Sequence, residues 1–231
     1  MTKKPAQPQP LVASHRVAEL LAERILSGQL KPGEWIKQDE LAAELGMSRI
    51  PVRDALRILE TRGLVSLRAN SGARVTSYTG RDIEISYEIR EKIEPMLLAE
   101  SMPHLTDADI EAMREILDAL VQATDVDEFL PLDRQFHWLS YSRHATPGLA
   151  QIIERLWDTT QTYRRLYAKI ALKNGGKILR AEHELLFGAI ERREIAMAQA
   201  TLVMHIRRTR IGLINYGYLL QADPVVRTSA Y

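Results

Sequence analysis

Residues 30–75 read LKPGEWIKQDELAAELGMSRIPVRDALRILETRGLVSLRANSGARV, and the order of signals in this stretch decides the fold of the N-terminal part. A turn at Lys31-Pro32-Gly33 leaves room for only a short strand at 35–36. A helix over 39–45 is closed by Gly46, and Ser48 stands where an N-cap belongs, ahead of a second helix over 49–62. Val52, Leu56 and Leu59 mark one buried face of that helix, and Pro51 costs little because first-turn N–H groups have no intrahelical acceptor. Gly63 ends it. Residues 64–67 read as a strand, Asn70-Ser71-Gly72 as a hairpin tip and 73–76 as the returning strand. Two short helices joined through a glycine make a helix-turn-helix, and the hairpin behind them adds a wing.

Working outward, Val17, Leu20, Leu21 and Ile25 recur at helical spacing and predict a helix over 11–27, stopped by Gly28. The first ten residues, MTKKPAQPQP, are polar and proline-rich and read as a flexible tail without the apolar run of a secretory signal. From Gly80 onward strand signals stop. Breaks at Met102-Pro103, Thr124-Asp125, Thr146-Pro147-Gly148 and Gly175-Gly176 separate six predicted helices, at 80–101, 106–123, 126–143, 147–172, 177–192 and 194–217, with a frayed tail over 223–231. The expected fold class is mostly α, with an N-terminal winged helix-turn-helix over 11–78 and a C-terminal all-α helical bundle over 79–222.

Composition narrows the chemistry. The chain has 231 residues, 45% hydrophobic and 26% charged, which is ordinary for a globular protein and excludes a disordered polymer. No run of eighteen apolar residues occurs, so a cytoplasmic location without membrane contact is expected. With no cysteine, disulfides, thiol catalysis and thiolate metal sites are excluded, and any metal must be held by His, Asp or Glu. The net charge of +1 hides an asymmetry, since residues 1–79 carry +4 and residues 80–231 carry −3. Six arginines and no lysine lie between Arg49 and Arg74, opposed only by Asp54 and Glu60, a bias that suits phosphate and guanine edges.

The PG turn, the ELAAELGMSR helix pair, the PVRDAL start, the RGLV strand entry and the NSGARV wing occur in the order in which this stretch resembles the winged-helix domain of the GntR family of bacterial transcription regulators. The resemblance implies contacts to double-stranded DNA by Ser48, Arg49, Arg53 and the wing glycine Gly72. Physical reading agrees, because Arg49 and Arg53 project from the helix end that enters a major groove while Val52 and Leu56 face the core. Arg57 is expected to pair with Asp54 or Glu60. Near Asp39 some members of the family carry an arginine, and no DNA contact is assigned there.

In the bundle, Asp133 and His137 are four positions apart in LDRQFHWLSY, which puts a carboxylate and an imidazole on one helix face. His183 shares a face with Leu179, Leu186 and Ile190, and His205 lies beside Leu202, so three of the six histidines point inward. Each taken alone reads as a core histidine bonded to a carbonyl or a tyrosine. Together with an inward aspartate, four uncompensated polar groups would each cost on the order of 1 to 3 kcal/mol, and one divalent cation would engage them all.

The helices from 80 to 217 resemble the FCD effector domain of the same family, whose D-x-x-x-H … H … H pattern falls on Asp133, His137, His183 and His205. The resemblance implies a divalent metal at these four residues, zinc first and nickel, manganese or iron as alternatives, with open coordination sites for a small carboxylate effector. Seven residues after His137 the family commonly has asparagine; this chain has His144, expected on the same face and able to alter the ligand site. Arg90, in YEIREKIEP, either faces the cavity and meets the effector carboxylate or forms an i,i+4 surface pair with Glu94. Arg164 and Arg165 are further cationic candidates, and Tyr141, Tyr163 and Trp157 are either pocket-lining or plain core.

The function expected is therefore a metabolite-responsive regulator, a repressor by family habit, acting as a homodimer on a two-fold-related operator. A metal-dependent helical enzyme fused to a DNA-binding module is the alternative. Against it, Glu182 and Glu184 leave their helix about 100° to either side of His183, so no general base faces the ligand set.

Overall fold

The computed structural model describes residues 10–68 and 72–215. The expected N-terminal tail up to residue 9, hairpin-tip residues Asn70 and Ser71, the last two residues of the final predicted helix and the C-terminal tail lie outside the described residues. Contacts divide the chain into two units, the boundary falling between Tyr78 and Thr79.

In the first unit, α1 (Pro10–Leu26) packs on α3 (Arg49–Thr61), and α2 (Gln38–Glu44) leans on the same helix. Its core joins Val17, Leu21 and Ile25 to Leu41, Val52, Leu56 and Leu59, the positions that the helical spacing marks, and the strands close it with Val65 and Val75. Strands β1 (Trp35–Ile36), β2 (Val65–Arg68) and β3 (Gly72–Val75) form an antiparallel sheet in the order β1-β3-β2, with Ile36 opposite Ala73 and Val65 opposite Val75. Glu60 on α3 accepts from the Leu67 amide at 3.0 Å, and Arg74 donates to the Gly33 carbonyl at 2.7 Å, tying wing and turn to the helices.

The second unit consists of α4 (Gly80–Ser101), a short 3-10 turn at Met102–His104, α5 (Asp107–Gln122), α6 (Val126–Ser140), α7 (Pro147–Lys173), α8 (Lys177–Glu191) and α9 (Ile195–Asn215). Reciprocal capping boxes at Thr79/Asp82 and Thr106/Asp109, and Asp125 accepting from the Asp127 and Glu128 amides, start α4, α5 and α6. α4 packs on α7 and α9, α5 on α6 and α8, and α8 on α9. Arg207 and Arg210 both reach Glu91, at 2.9 and 2.7 Å, and fasten α9 to α4. Where α9 crosses α7, a Cβ on Gly212 would stand 2.2 Å from the Tyr167 ring, so only glycine permits that approach. Among the described residues no helix is long and apolar enough to cross a membrane.

Element boundaries fall within three residues of those expected from sequence, the largest difference being at the end of α6. The predicted helix over 126–143 stops at Ser140, because the Arg143 amide donates to Ser101 Oγ at 3.0 Å and its guanidinium forks onto Asp109, both contacts at 2.9 Å. Those tertiary anchors draw the chain off the helical path.

Gly72 has a packing role in the wing. It is buried with φ +102, and a Cβ there would stand 2.3 Å from the Ile36 carbonyl oxygen. That oxygen belongs to the β1 backbone and cannot move without breaking the sheet. Gly72→Ala is expected to destabilise the first unit by about 1 to 3 kcal/mol. Urea denaturation followed by circular dichroism checks this, and stability equal to wild type would show that the wing yields.

Candidate metal centre and nucleic-acid interface

Three helices bring the predicted ligand set together. α6 supplies Asp133 and His137, one turn apart; α8 supplies His183 and α9 His205. Asp133, His137, His183 and His205 each offer an atom within 4.8 Å of all the others; the first three side chains are buried and that of His205 is mostly covered. Phe136 and Phe129 pack edge-on against the His183 ring and give the cluster an apolar wall.

Hydrogen bonds fix which ring nitrogen faces inward. His183 Nδ1 lies 2.7 Å from the Leu179 carbonyl, which can only accept, so Nδ1 carries the proton and Nε2 keeps its lone pair. That Nε2 stands 3.0 Å from Asp133 Oδ1, itself an acceptor. Two acceptors at this distance repel unless a proton or a cation lies with them. A proton is disfavoured, because burial, reinforced by the Arg164 charge, pushes His183 down to about 4. A cation therefore fits this donor set.

His205 is oriented the same way: its Nδ1 donates to Glu182 Oε2 at 3.0 Å, leaving Nε2 free, and Arg208 grips the other Glu182 oxygen. Burial pushes His205 down to about 4, against the opposing pull of Glu182. Burial would raise Glu182, yet the bonds from His205 and Arg208 hold it below the ordinary carboxylate value. His137, lowered well below the usual imidazole value by burial and then by the two neighbouring histidines, has its Nδ1 without a hydrogen bond among the described residues. Glu182 was missed by the sequence reading. It leaves α8 about 100° from His183, as expected, but that direction is where α9 brings His205.

α7 and α4 cover the cluster. Arg164 is buried, lies against Asp133, and its Cζ sits 4.3 Å from the centroid of Trp157. Burial and then the charge of Arg90 push Arg164 down to about 9, so it stays cationic at neutral pH. Arg90 does pair with Glu94, but in the interior and not on the surface: its Nε donates to Glu94 and its NH1 to Thr160 at 3.1 Å, while the Tyr141 hydroxyl donates to Glu94 at 3.0 Å. Tyr87, Arg90, Glu94, His137, Trp157, Arg164 and His205 line a cavity of about 10 Å³, the room of one water.

Two sequence expectations need correction. His144 does not share a helix face with His137, because α6 ends at Ser140; its Nδ1 accepts from the Thr146 amide at 3.1 Å and it does not line the cavity. Arg165 points away from the cluster to an ion pair with Asp127.

In the first unit, Ser48, Arg49 and Arg53 are exposed at the start of α3. The Ser48 hydroxyl makes no capping bond. Arg49 Nε pairs with Asp39 at 2.7 Å, and Arg57 lies 3.7 Å from Asp54. Ile50, 58% exposed between the two arginines, was also missed; an apolar residue off the buried stripe of α3 was its signal in the sequence.

Comparison with known proteins agrees with both units. The family model described as bacterial regulatory proteins, gntR family, matches residues 13–75, and the FCD domain model matches residues 84–208. The chain is 28% identical to the HTH-type transcriptional regulator YdhC of Bacillus subtilis (strain 168), over 80% of this chain and 84% of that one. It is 28% identical to the gluconate operon transcriptional repressor of the same organism, over 79% of this chain and 77% of that one. Among solved structures, E. coli McbR/YncC is similar with a TM-score of 0.75 and 27% identity, over 90% of this chain and 97% of that one.

The depressed histidines give a pH expectation with a definite sign. Unfolded, an imidazole titrates near 6.5; folded, His183 and His205 titrate at about 4, so the unfolded chain binds more protons between these values. Their contribution is fully present above pH 6.5 and is lost as pH falls toward 4, on the order of 1 to 3 kcal/mol for each. Chelator-treated protein is expected to unfold at lower urea at pH 5 than at pH 7, and His183→Phe to flatten that dependence.

Proposed function

Because the chain belongs to the gntR family of bacterial regulatory proteins and carries an FCD domain over residues 84–208, we propose that its helical unit binds a divalent metal ion and a small carboxylate effector that together set the affinity of the winged helix for its operator. The protein is a transcription regulator of a DNA-binding family and not an enzyme. The observation that carries the metal reading is the convergence of Asp133, His137, His183 and His205 in the interior, with His183 Nε2 and Asp133 Oδ1 3.0 Å apart and burial disfavouring a charged imidazole there. Asp133, His137, His183 and His205 would hold the ion, zinc first, with nickel, manganese and iron accepted by the same nitrogen and oxygen donors. When bound, the ion supplies a Lewis-acid anchor for a carboxylate. Glu182 keeps the His205 lone pair turned inward, and Phe129 and Phe136 keep solvent from His183.

On the DNA side, Arg49 and Arg53 are the guanine-reading pair, Ser48 meets phosphate and exposed Ile50 suits a thymine methyl, while Gly72, expected from the sequence to touch DNA, is buried under β1 and serves the shape of the wing instead. A homodimer on a two-fold-related site follows from the small DNA surface that one winged helix can bury. Repression is favoured by the gluconate operon repressor among the relatives.

One divalent ion per chain is expected by native mass spectrometry, and its loss in His183→Ala, His205→Ala or Asp133→Ala. Glu182→Gln should weaken the ion about 10- to 100-fold while leaving the fold intact. A stoichiometric ion that survives removal of His183 and His205 together would return these histidines to plain core. For DNA, Arg53→Ala should cost roughly 1 to 3 kcal/mol of specific binding and relax base preference, measured by anisotropy on selected sites across a salt series. Unchanged affinity and selectivity in folded Arg49→Ala and Arg53→Ala proteins would remove the assignment.

A further inference from the structure

The arginines on the outer face of α3 are not held alike. Arg49, the first residue of α3, has its Nε 2.7 Å from Oδ1 of Asp39, a carboxylate supplied by the first turn of α2. Arg53 has Asp54, its neighbour in sequence, at 4.0 Å, and Arg57 has the same carboxylate at 3.7 Å. The first turn of α3 contains no acidic residue, so the partner of Arg49 comes from the other helix of the pair. The side chains of Arg49 and Asp39 are 73% and 63% exposed, and an ion pair so open to water adds little to stability. Glu40, in the same first turn of α2, already places a negative charge at the start of that helix. Stability thus gives little reason for a carboxylate at Asp39, beside the arginines of a face that meets DNA, where it repels phosphate.

We propose that Asp39 is a positioning and specificity-determining residue for DNA recognition: it holds Arg49 on its Nε side and so directs the two terminal nitrogens to a guanine edge and away from the phosphate backbone. This rests on the reading of Arg49 as a guanine contact given above and goes further by naming what selects base over phosphate. An unpartnered arginine at the start of a recognition helix is drawn to the nearest anions, which on DNA are phosphates. A carboxylate 2.7 Å away offsets that charge. The NH1–NH2 edge keeps its paired donors, the fork that matches guanine O6 and N7. Holding the side chain in one arrangement also lowers the entropy lost when it docks. Water leaves the interface on binding, so the pair is stronger on DNA than in the free protein. Arg53 is less restrained, its nearest carboxylate being 4.0 Å away, and its base pair is read independently of Asp39.

Fluorescence anisotropy with the full chain tests this on a site selected by the wild-type protein from a randomised duplex pool, on that site with each base pair substituted singly, and on an unrelated duplex of equal length. Arg49→Ala marks the base pair that Arg49 reads, as the position where discrimination is lost. Asp39→Asn should lower discrimination at that same pair about tenfold and leave the pair read by Arg53 unchanged. It should also bind the unrelated duplex about three- to tenfold more tightly, with a salt slope steeper by about 0.9, the value for one more phosphate neutralised. A purely structural role for Asp39 would weaken every duplex together. In an Arg49→Ala background, Asp39→Asn should change discrimination at the marked pair less than about twofold, because Asp39 acts through Arg49. Asp39→Ser covers an Asn variant that fails to fold and should show the same loss at the same pair. Wild-type discrimination at the marked pair in the Asp39 variants, or a loss spread evenly over all pairs, overturns the positioning role while leaving Arg49 as a base reader. An undiminished effect of Asp39→Asn in the Arg49→Ala background also overturns it, in favour of direct base contact by Asp39. An Arg49→Ala protein that keeps discrimination at every pair overturns the guanine reading and this role together.

Discussion

A carboxylate at the centre of a helical bundle sets the terms for everything around it. Asp133 is almost wholly buried, and apolar packing offers nothing to its charge. The neighbouring helices answer with one cation, Arg164 from α7, and with three imidazoles whose burial keeps them neutral. Removing the carboxylate from this setting would strand a guanidinium, and removing the guanidinium would strand the carboxylate. Such interdependence explains why these polar groups lie together in one place while Phe129, Phe136 and Trp157 enclose them.

Beyond the four central residues, a surrounding layer fixes their orientation. Leu179 and Glu182 determine which nitrogen of His183 and His205 carries its proton, and Arg208 holds Glu182 in turn. On the far side, Glu94 is shared between Arg90 and the Tyr141 hydroxyl, so α4, α6 and α7 are joined through one buried pair. Replacing a partner in either group leaves a buried charge or donor unpaired, which costs more than the lost bond itself. The same layer would carry a change at the ligand set to α4, α7 and α9 because these helices share its hydrogen bonds.

The winged unit obeys a simpler constraint. Its apolar stripe on α3 is buried, which forces Arg49, Arg53 and Arg57 outward, and the exposed carboxylates Asp39 and Asp54 lie close enough to orient them. Exposed ion pairs of this kind contribute little stability. Their effect is on where the guanidinium groups are held on the outer face of α3. Gly72, buried under β1, keeps the hairpin close to the sheet by having no side chain.

What the sequence determined by itself is local. Helix starts were legible because capping residues act within one turn, as at Thr79 and Thr106, and the Asp133–His137 pair was legible because i,i+4 spacing places both on one face. The inward direction of His183 and His205 followed from their apolar neighbours on the same stripe. Only the tertiary structure decided that Glu182 meets His205, that Arg90 pairs with Glu94 in the interior, that Arg164 lies on Asp133, and that α6 stops before His144. Apart from the Arg90–Glu94 spacing, these outcomes depend on partners supplied by other helices, such as Ser101 and Asp109 drawing Arg143 away from α6. Even for Arg90, the spacing gave the pair but not its burial, because depth in the bundle is set by how α4 packs against α7 and α9, and periodicity within one helix carries no record of that packing.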